Sequence, residues 1–294
     1  MISYNPKEWI TGIVMVGKAD TLRKLIVPIL LVSLYSLIIV VIDLHVLNMV
    51  EQDKASKISV MHSLLGFVIS LLLVFRTNTA YERWWEGRKH WGALVNCSRN
   101  MSIRLGALLS DNSEELRNFK KLIINFPYAL KNHLRNISSM GESELDERFH
   151  IKELKSHKHV PQYISNQFYE RLVELNRNGK LNTEQFISII YDWQQWMEIC
   201  GACERIRNTP IPFSYSVFIK KFLFVYIFTL PIAYAPMLGY YTIPIIAFVF
   251  YVLTSLELIA EEIENPFGTD ANDLPLDEIS KNIRSSVDTI LKEH

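Results

Sequence analysis

The sequence predicts an all-α membrane protein with four transmembrane helices in two hairpins and a large cytosolic helical region between the hairpins. Three observations carry this expectation. From Phe222 to Leu256 the chain runs 35 residues without a charged side chain, punctuated by Pro231, Pro236, Gly239 and Pro244. As one helix it would measure about 52 Å, too long for a hydrocarbon core of about 30 Å, so the breakers near its middle predict two spans. Two further uncharged stretches, Leu25–Ile42 and Ile58–Phe75, are 18 residues each. Elsewhere apolar residues recur at helical spacing, and no strand-like alternation is visible.

These stretches divide the chain into a cytosolic N-terminal segment (1–24), a first hairpin (25–75), a cytosolic helical region (76–221), a second hairpin (222–259) and a cytosolic acidic tail (260–294). Orientation follows from the basic residues close to the spans. Lys18, Arg23 and Lys24 precede the first span, Arg76, Arg83, Arg88 and Lys89 follow the second, and Lys220–Lys221 precede the third. Both termini and the middle region are therefore expected in the cytoplasm. Met1–Thr21 has no apolar core with a small-residue cleavage site, so the first span is expected to stay in the membrane.

Within the middle region, Arg83–Leu109 reads as a helix continuing from the second span. Ser113–Leu134 places Leu116, Phe119, Ile123 and Phe126 on one face, with Pro127 as a candidate kink. Gly141–Val160 is a polar connection containing His157-Lys-His159, which reads as a charged linker. Gln162–Asn176 is helical, Asn178-Gly179 stops it, and Asn182 or Thr183 caps a helix running to about Arg207. Thr209-Pro-Ile-Pro212 ends that helix.

The basic and acidic residues balance at 31 each, which gives no support for nucleic-acid binding. The three cysteines, Cys97, Cys200 and Cys203, are too few for a disulfide framework. Cys200-Gly-Ala-Cys203 has no second pair to complete a zinc site and reads as helix packing. Neither GxSxG nor HExxH occurs, so the chain is expected not to be an enzyme. His62, near the outer end of the second span, could line an outer vestibule or snorkel.

On the second span, Phe67, Leu71 and Phe75 fall at i, i+4 and i+8, on one helical face with Gly66 and Ser70 beside them. Such a stripe can face lipid or another helix. Presented by several subunits to a common axis, it would instead form stacked apolar rings that gate an ion path by dewetting. After the fourth span, Glu257, Glu261, Glu262 and Glu264 lead into Asn265-Pro-Phe-Gly268, Asp270 and Asp273. Calcium takes six to eight oxygen ligands, and this segment could supply several, although its spacing is not an EF-hand loop. Asn265-Pro266 could equally be a helix stop with exposed acids around it.

Three segments resemble the bestrophin family in its bacterial branch. They are Phe75-Arg76-Thr-Asn78-Thr-Ala-Tyr81-Glu-Arg83-Trp-Trp-Glu-Gly-Arg88, Cys203-Glu-Arg205 with Thr209-Pro-Ile-Pro-Phe213, and Glu261-Glu-Ile-Glu-Asn265-Pro-Phe-Gly268-Thr-Asp. The resemblance implies a homopentameric channel for small inorganic ions in the bacterial inner membrane, with one central pore and a neck at Phe67, Leu71 and Phe75. It implies a second, cytosolic aperture after Gly179-Lys180-Leu181, near Glu184 and Gln185. Animal bestrophins carry a calcium clasp whose side-chain positions match Glu262, Asn265, Asp270 and Asp273. Some bacterial relatives need no calcium, so calcium is a candidate ligand rather than a required cofactor. Animal and plant members chiefly pass chloride, whereas a bacterial type favours cations. A Glu184 ring would favour cations and tilts the expectation that way, with an anion channel as the alternative and a secondary transporter as a further one.

Overall fold

The computed structural model describes residues 21–47, 52–110, 113–137 and 158–291. Among them all regular structure is helical. We number the α-helices α1 (Thr21–Ile42), α2 (Gln52–Leu108), α3 (Ser113–Leu134), α4 (Val160–Arg177), α5 (Thr183–Asn208), α6 (Phe213–Leu238), α7 (Thr242–Glu264) and α8 (Leu276–Ile290). The second apolar stretch does run on past Arg76 and the Trp84-Trp85 pair, in one helix of 57 residues. Of the connection expected over Gly141–Val160, residues 141–157 lie outside the described residues, and Val160 already opens α4.

The chain divides into two compact units. One comprises residues up to Arg83 together with Pro210–Asn265 and Asp270–Asn272. Its helices are α1, the first part of α2, α6 and α7, and hydrogen bonds fix their mutual directions. Lys220 pairs with Glu261 at 3.0 Å, while the Thr242 hydroxyl donates to the Tyr234 carbonyl at 3.2 Å, so α6 and α7 run antiparallel. Gly239 makes the turn between them with a positive φ of 53°, a conformation that favours glycine. His62 and Gly66 of α2 meet Thr229 and Tyr226 of α6, so these two helices are antiparallel as well. Tyr35 stacks on Phe228 and His45 reaches Tyr240, so α1 runs parallel to α6. Four helices therefore alternate in direction. At 22, 26 and 23 residues, α1, α6 and α7 measure about 33, 39 and 35 Å, each enough for a hydrocarbon core. The apolar stretches Thr21–His45, Lys54–Leu108 and Phe213–Glu264 are each long and apolar enough to cross a membrane, and the last holds both α6 and α7.

His62 is buried rather than open to a vestibule. Its ring bridges the Ile58 carbonyl at 3.1 Å and the Thr229 hydroxyl at 2.9 Å, which locks α2 to α6. A polar ring near a helix end gives no sequence signal for which neighbour it will meet.

The most buried charge in this unit is Arg76, only 1% exposed. One guanidinium nitrogen lies 2.6 Å from Glu264, and Nε lies 3.7 Å from Glu257. Glu264 also accepts the backbone N–H of Ile211 at 2.8 Å, while Arg83 donates to its carbonyl at 3.1 Å. One carboxylate thus gathers residues from α2, the Pro210–Pro212 turn and the end of α7.

The other unit comprises Trp84–Thr209, Pro266–Thr269 and the chain from Asp273 onward. Its core joins the rest of α2 with α3, α4, α5 and α8. Trp196 stacks on Phe126 at 4.3 Å between ring centroids, and Phe168 fills the gap between Trp196 and Phe119. The expected apolar face of α3 is present, and Pro127 sits inside the helix. The cap of α5 is Asn182, in a reciprocal capping box with Gln185. Cys97, Cys200 and Cys203 are buried and free, and burial pushes the Cys200 thiol up to about 12, so it is an inert packing group. The Pro266–Thr269 loop packs Phe267 against Gly87, where a Cβ would come within 3.0 Å of the ring. Arg135 donates to the Phe267 and Gly268 carbonyls, and Arg135 and Lys131 both pair with Asp277 at 2.8 Å. Burial opposes ionisation of Asp277, but these two cations outweigh it and hold the carboxyl at about 2.

Removing Arg76 takes away the buried cation that Glu257 and Glu264 share. Arg76→Ala should therefore cost about 3–5 kcal/mol, seen as a lower thermal unfolding midpoint of the detergent-purified protein. A midpoint matching the parent would show that the pair is not structural.

Candidate functional site

The α2 segment through the first unit is packed on one side only. Ile69 and Leu73 are fully buried and share a core with Ile219, Leu223, Ile227 and Leu253 of α6 and α7. His62, Arg76 and Ala80 extend the same stripe. At 100° per residue these positions centre about 180° from Phe67, Leu71 and Phe75. Those three are 69%, 45% and 55% exposed. Exposure alone does not single them out, because Leu64, Val68 and Val74 are also open. All three lie on the face away from the chain's own packing, a face that Val60 and Leu64 continue towards the start of α2. Of the two small residues flanking the stripe, Gly66 faces Tyr226, where a Cβ would sit 2.7 Å from the phenol oxygen. Gly66 and Ser70 line an open, mostly apolar cleft of about 300 Å³, lined on its other side by Phe248, Val249 and Val252 of α7.

Glu184 and Gln185 stand in the first turn of α5. Glu184 is exposed, in the position that the helix dipole favours for a carboxylate. Gln185 is committed elsewhere. Its backbone N–H donates to the Asn182 side chain at 2.8 Å, and its own amide oxygen accepts the Asn182 N–H at 2.9 Å. The preceding turn carries Gly179 at φ 72°.

The acidic segment is built differently from a bare cation cage. Both oxygens of Glu262 have partners: Lys24 forms an ion pair with one, and the Asn272 amide donates to the other at 2.7 Å. A lysine ammonium therefore stands against the carboxylate that a calcium ion would need. Asn265 caps the C-terminus of α7 and is exposed, as is Asp270, whereas Asp273 is buried. The helix stop expected at Asn265-Pro266 is present.

Sequence reasoning passed over a third cluster. His133, His159 and Glu204 bring their ligand atoms within 4.8 Å of one another. His159 had read as part of a charged linker, and its partners lie 26 and 45 positions away, so local spacing carried no signal. His157 lies outside the described residues.

Comparison with known proteins agrees with this architecture. A family profile described as "Bacterial/Fungal Bestrophin protein" matches residues 1–289. The chain is 38% identical to a voltage-dependent anion channel-forming protein of Nostoc sp., covering 80% of each chain. It is 34% identical to the voltage-dependent anion channel-forming protein YneE of Escherichia coli K12, covering 74% of this chain and 71% of that one. A crystal structure of a bacterial bestrophin homologue from Klebsiella pneumoniae superimposes with a TM-score of 0.81 at 26% identity, covering 92% of this chain and 99% of that one. With its signature residues Arg76, Arg83, Ile211 and Glu264 joined in one buried cluster, the chain belongs to the bestrophin family.

Proposed function

We propose that this protein is a channel subunit that assembles as a homopentamer and conducts small monovalent anions passively across the bacterial inner membrane. The observation that carries the reading is the one-sided packing of α2. Its buried stripe satisfies the fold of a single chain, and the opposite face presents Phe67, Leu71 and Phe75, where copies around an axis would supply the missing neighbours. Stacked apolar rings of this kind would form a narrow neck whose hydration decides conduction. Four alternating helices would span the membrane, leaving both termini and the α3–α5 region in the cytoplasm, in keeping with the basic residues at the inner ends of the spans.

Selectivity for anions is supported by the names of the Nostoc and Escherichia coli relatives. The sequence tilts towards cations through Glu184, placed near a cytosolic aperture, and through its bacterial-type tail. The neighbouring Gln185 amide is held in the helix cap. An exposed Glu184 ring is the observation that favours the second reading, a cation channel of the same architecture. Calcium is not a requirement in either reading. Lys24 already neutralises Glu262, so an ion held by Glu262, Asn265, Asp270 and Asp273 would first have to displace it.

In reconstituted bilayers under a salt gradient, the reversal potential should take the chloride sign, and Glu184→Gln should leave it in place. A potential of the cation sign that collapses in the variant would establish the second reading. Replacing Phe67, Leu71 and Phe75 together by Ala should raise open probability by removing the apolar constriction, as single-channel recording would show. Gating identical to the parent would place the neck elsewhere. Chelating calcium on the cytoplasmic side should leave currents unchanged; currents lost on chelation and restored by calcium would assign the acidic segment a gating role.

A further inference from the structure

The unit formed by α3, α4, α5 and α8 contains a cluster that the channel reading does not use. His133 lies in the last turn of α3, His159 is the residue before α4, and Glu204 lies near the end of α5. The Nε2 atoms of both imidazoles converge on one oxygen of Glu204, at 2.6 Å for His133 and 2.7 Å for His159. The rings lie 4.4 Å apart between centroids with 38° between their planes, and all three residues are half-buried. Among the described residues this is the trio of His, Cys, Asp or Glu side chains whose ligand atoms gather closely enough to share one metal ion.

We propose that His133, His159 and Glu204 form a binding site for a divalent transition ion of the zinc class, joining α3, α4 and α5. Two imidazoles and one carboxylate suit zinc, with a fourth position open to water, whereas calcium and magnesium prefer all-oxygen shells. In a tetrahedral zinc site with bonds of about 2.0–2.1 Å, ligand atoms stand about 3.3 Å apart. The Nε2–Oε1 distances of 2.6 and 2.7 Å would therefore open by about 0.7 Å. A rotation of the Glu204 side chain supplies such a shift without moving a helix. The His133 carbonyl accepts from Arg207 at 2.8 Å, which fixes the end of α3 on which this ligand sits.

His159 brings a coupling of its own. Its Nδ1 accepts the Gln162 N–H at 3.1 Å and so caps α4, which puts the ring proton on Nε2, aimed at Glu204. A metal at Nε2 takes that proton's place, and the neutral ring must then carry its proton on Nδ1, where it can no longer accept. Metal binding therefore competes with the cap of α4 and gives an affinity below that of a purely structural zinc site. The site does not depend on whether the protein conducts ions.

The test uses the full chain, purified in detergent without a polyhistidine tag and stripped with a chelator. Zinc is titrated in competition with a chromophoric chelator, and the metal content is measured per chain. One zinc per chain is expected. His133→Gln and His159→Gln should each weaken binding by at least the roughly 10–100-fold that loss of an outer-shell partner costs, with unchanged elution volume and helical circular dichroism. Uptake equal in parent and variants, or no uptake by the parent, would overturn the site. Cobalt loading of the parent protein alone gives a second readout that survives misfolding of any variant. Ligand-field bands without thiolate-to-cobalt charge transfer are expected, and strong charge transfer would move the metal to Cys200 and Cys203 and overturn the assignment.

Discussion

The contact between Arg76 and Glu264 organises the unit that holds the apolar helices. A guanidinium 1% exposed at the end of an uncharged helical stretch is stable only with carboxylates beside it. Glu264 meets that need and at the same time receives the Ile211 N–H and anchors Arg83 through its carbonyl. Three pieces of chain distant in sequence, α2, the Pro210–Pro212 turn and the end of α7, are thereby registered at one point. That register fixes which face of α2 turns inward, and hence which face is left for Phe67, Leu71 and Phe75.

The asymmetry of α2 is the structural basis for reading the chain as one subunit of a larger assembly. A helix of 57 residues with a narrow buried stripe exposes far more apolar surface than a lone soluble chain would keep. Lipid can cover part of that surface. The face opposite the stripe carries two Phe residues one helical turn on either side of a Leu, and small residues beside it let a neighbour approach closely. Gly66 already serves this purpose within the chain, because Tyr226 occupies the space that a side chain there would fill.

Cation and carboxylate pairs also tie helix to helix within each unit. Lys24 holds Glu262, while Lys131 and Arg135 hold Asp277 beside the Pro266–Thr269 loop. In each case a protein cation stands where a free ion could otherwise do the same work. The His133–His159–Glu204 trio is the exception. It brings two imidazole nitrogens and one carboxylate together, which is donor chemistry suited to a transition metal rather than to an ammonium.

The helical class, the paired apolar stretches and the positions of most helix ends were legible in the sequence, because they depend on local periodicity, charge-free length and breakers such as Gly239 and Asn178-Gly179. The capping box at Asn182 and the helix stop at Asn265 were legible for the same reason: each acts within four residues. The stripe of Phe67, Leu71 and Phe75 could be seen as a face, but not which face of α2 the chain itself would bury. That depended on Ile69 and Leu73 meeting α6 and α7. Only the tertiary structure turned His62 inward to Thr229, gave Lys24 to Glu262 and joined His159 to His133 and Glu204. Sequence determines what a segment prefers within a turn or two of itself, whereas partners tens to hundreds of residues apart are chosen by packing, which no local pattern encodes.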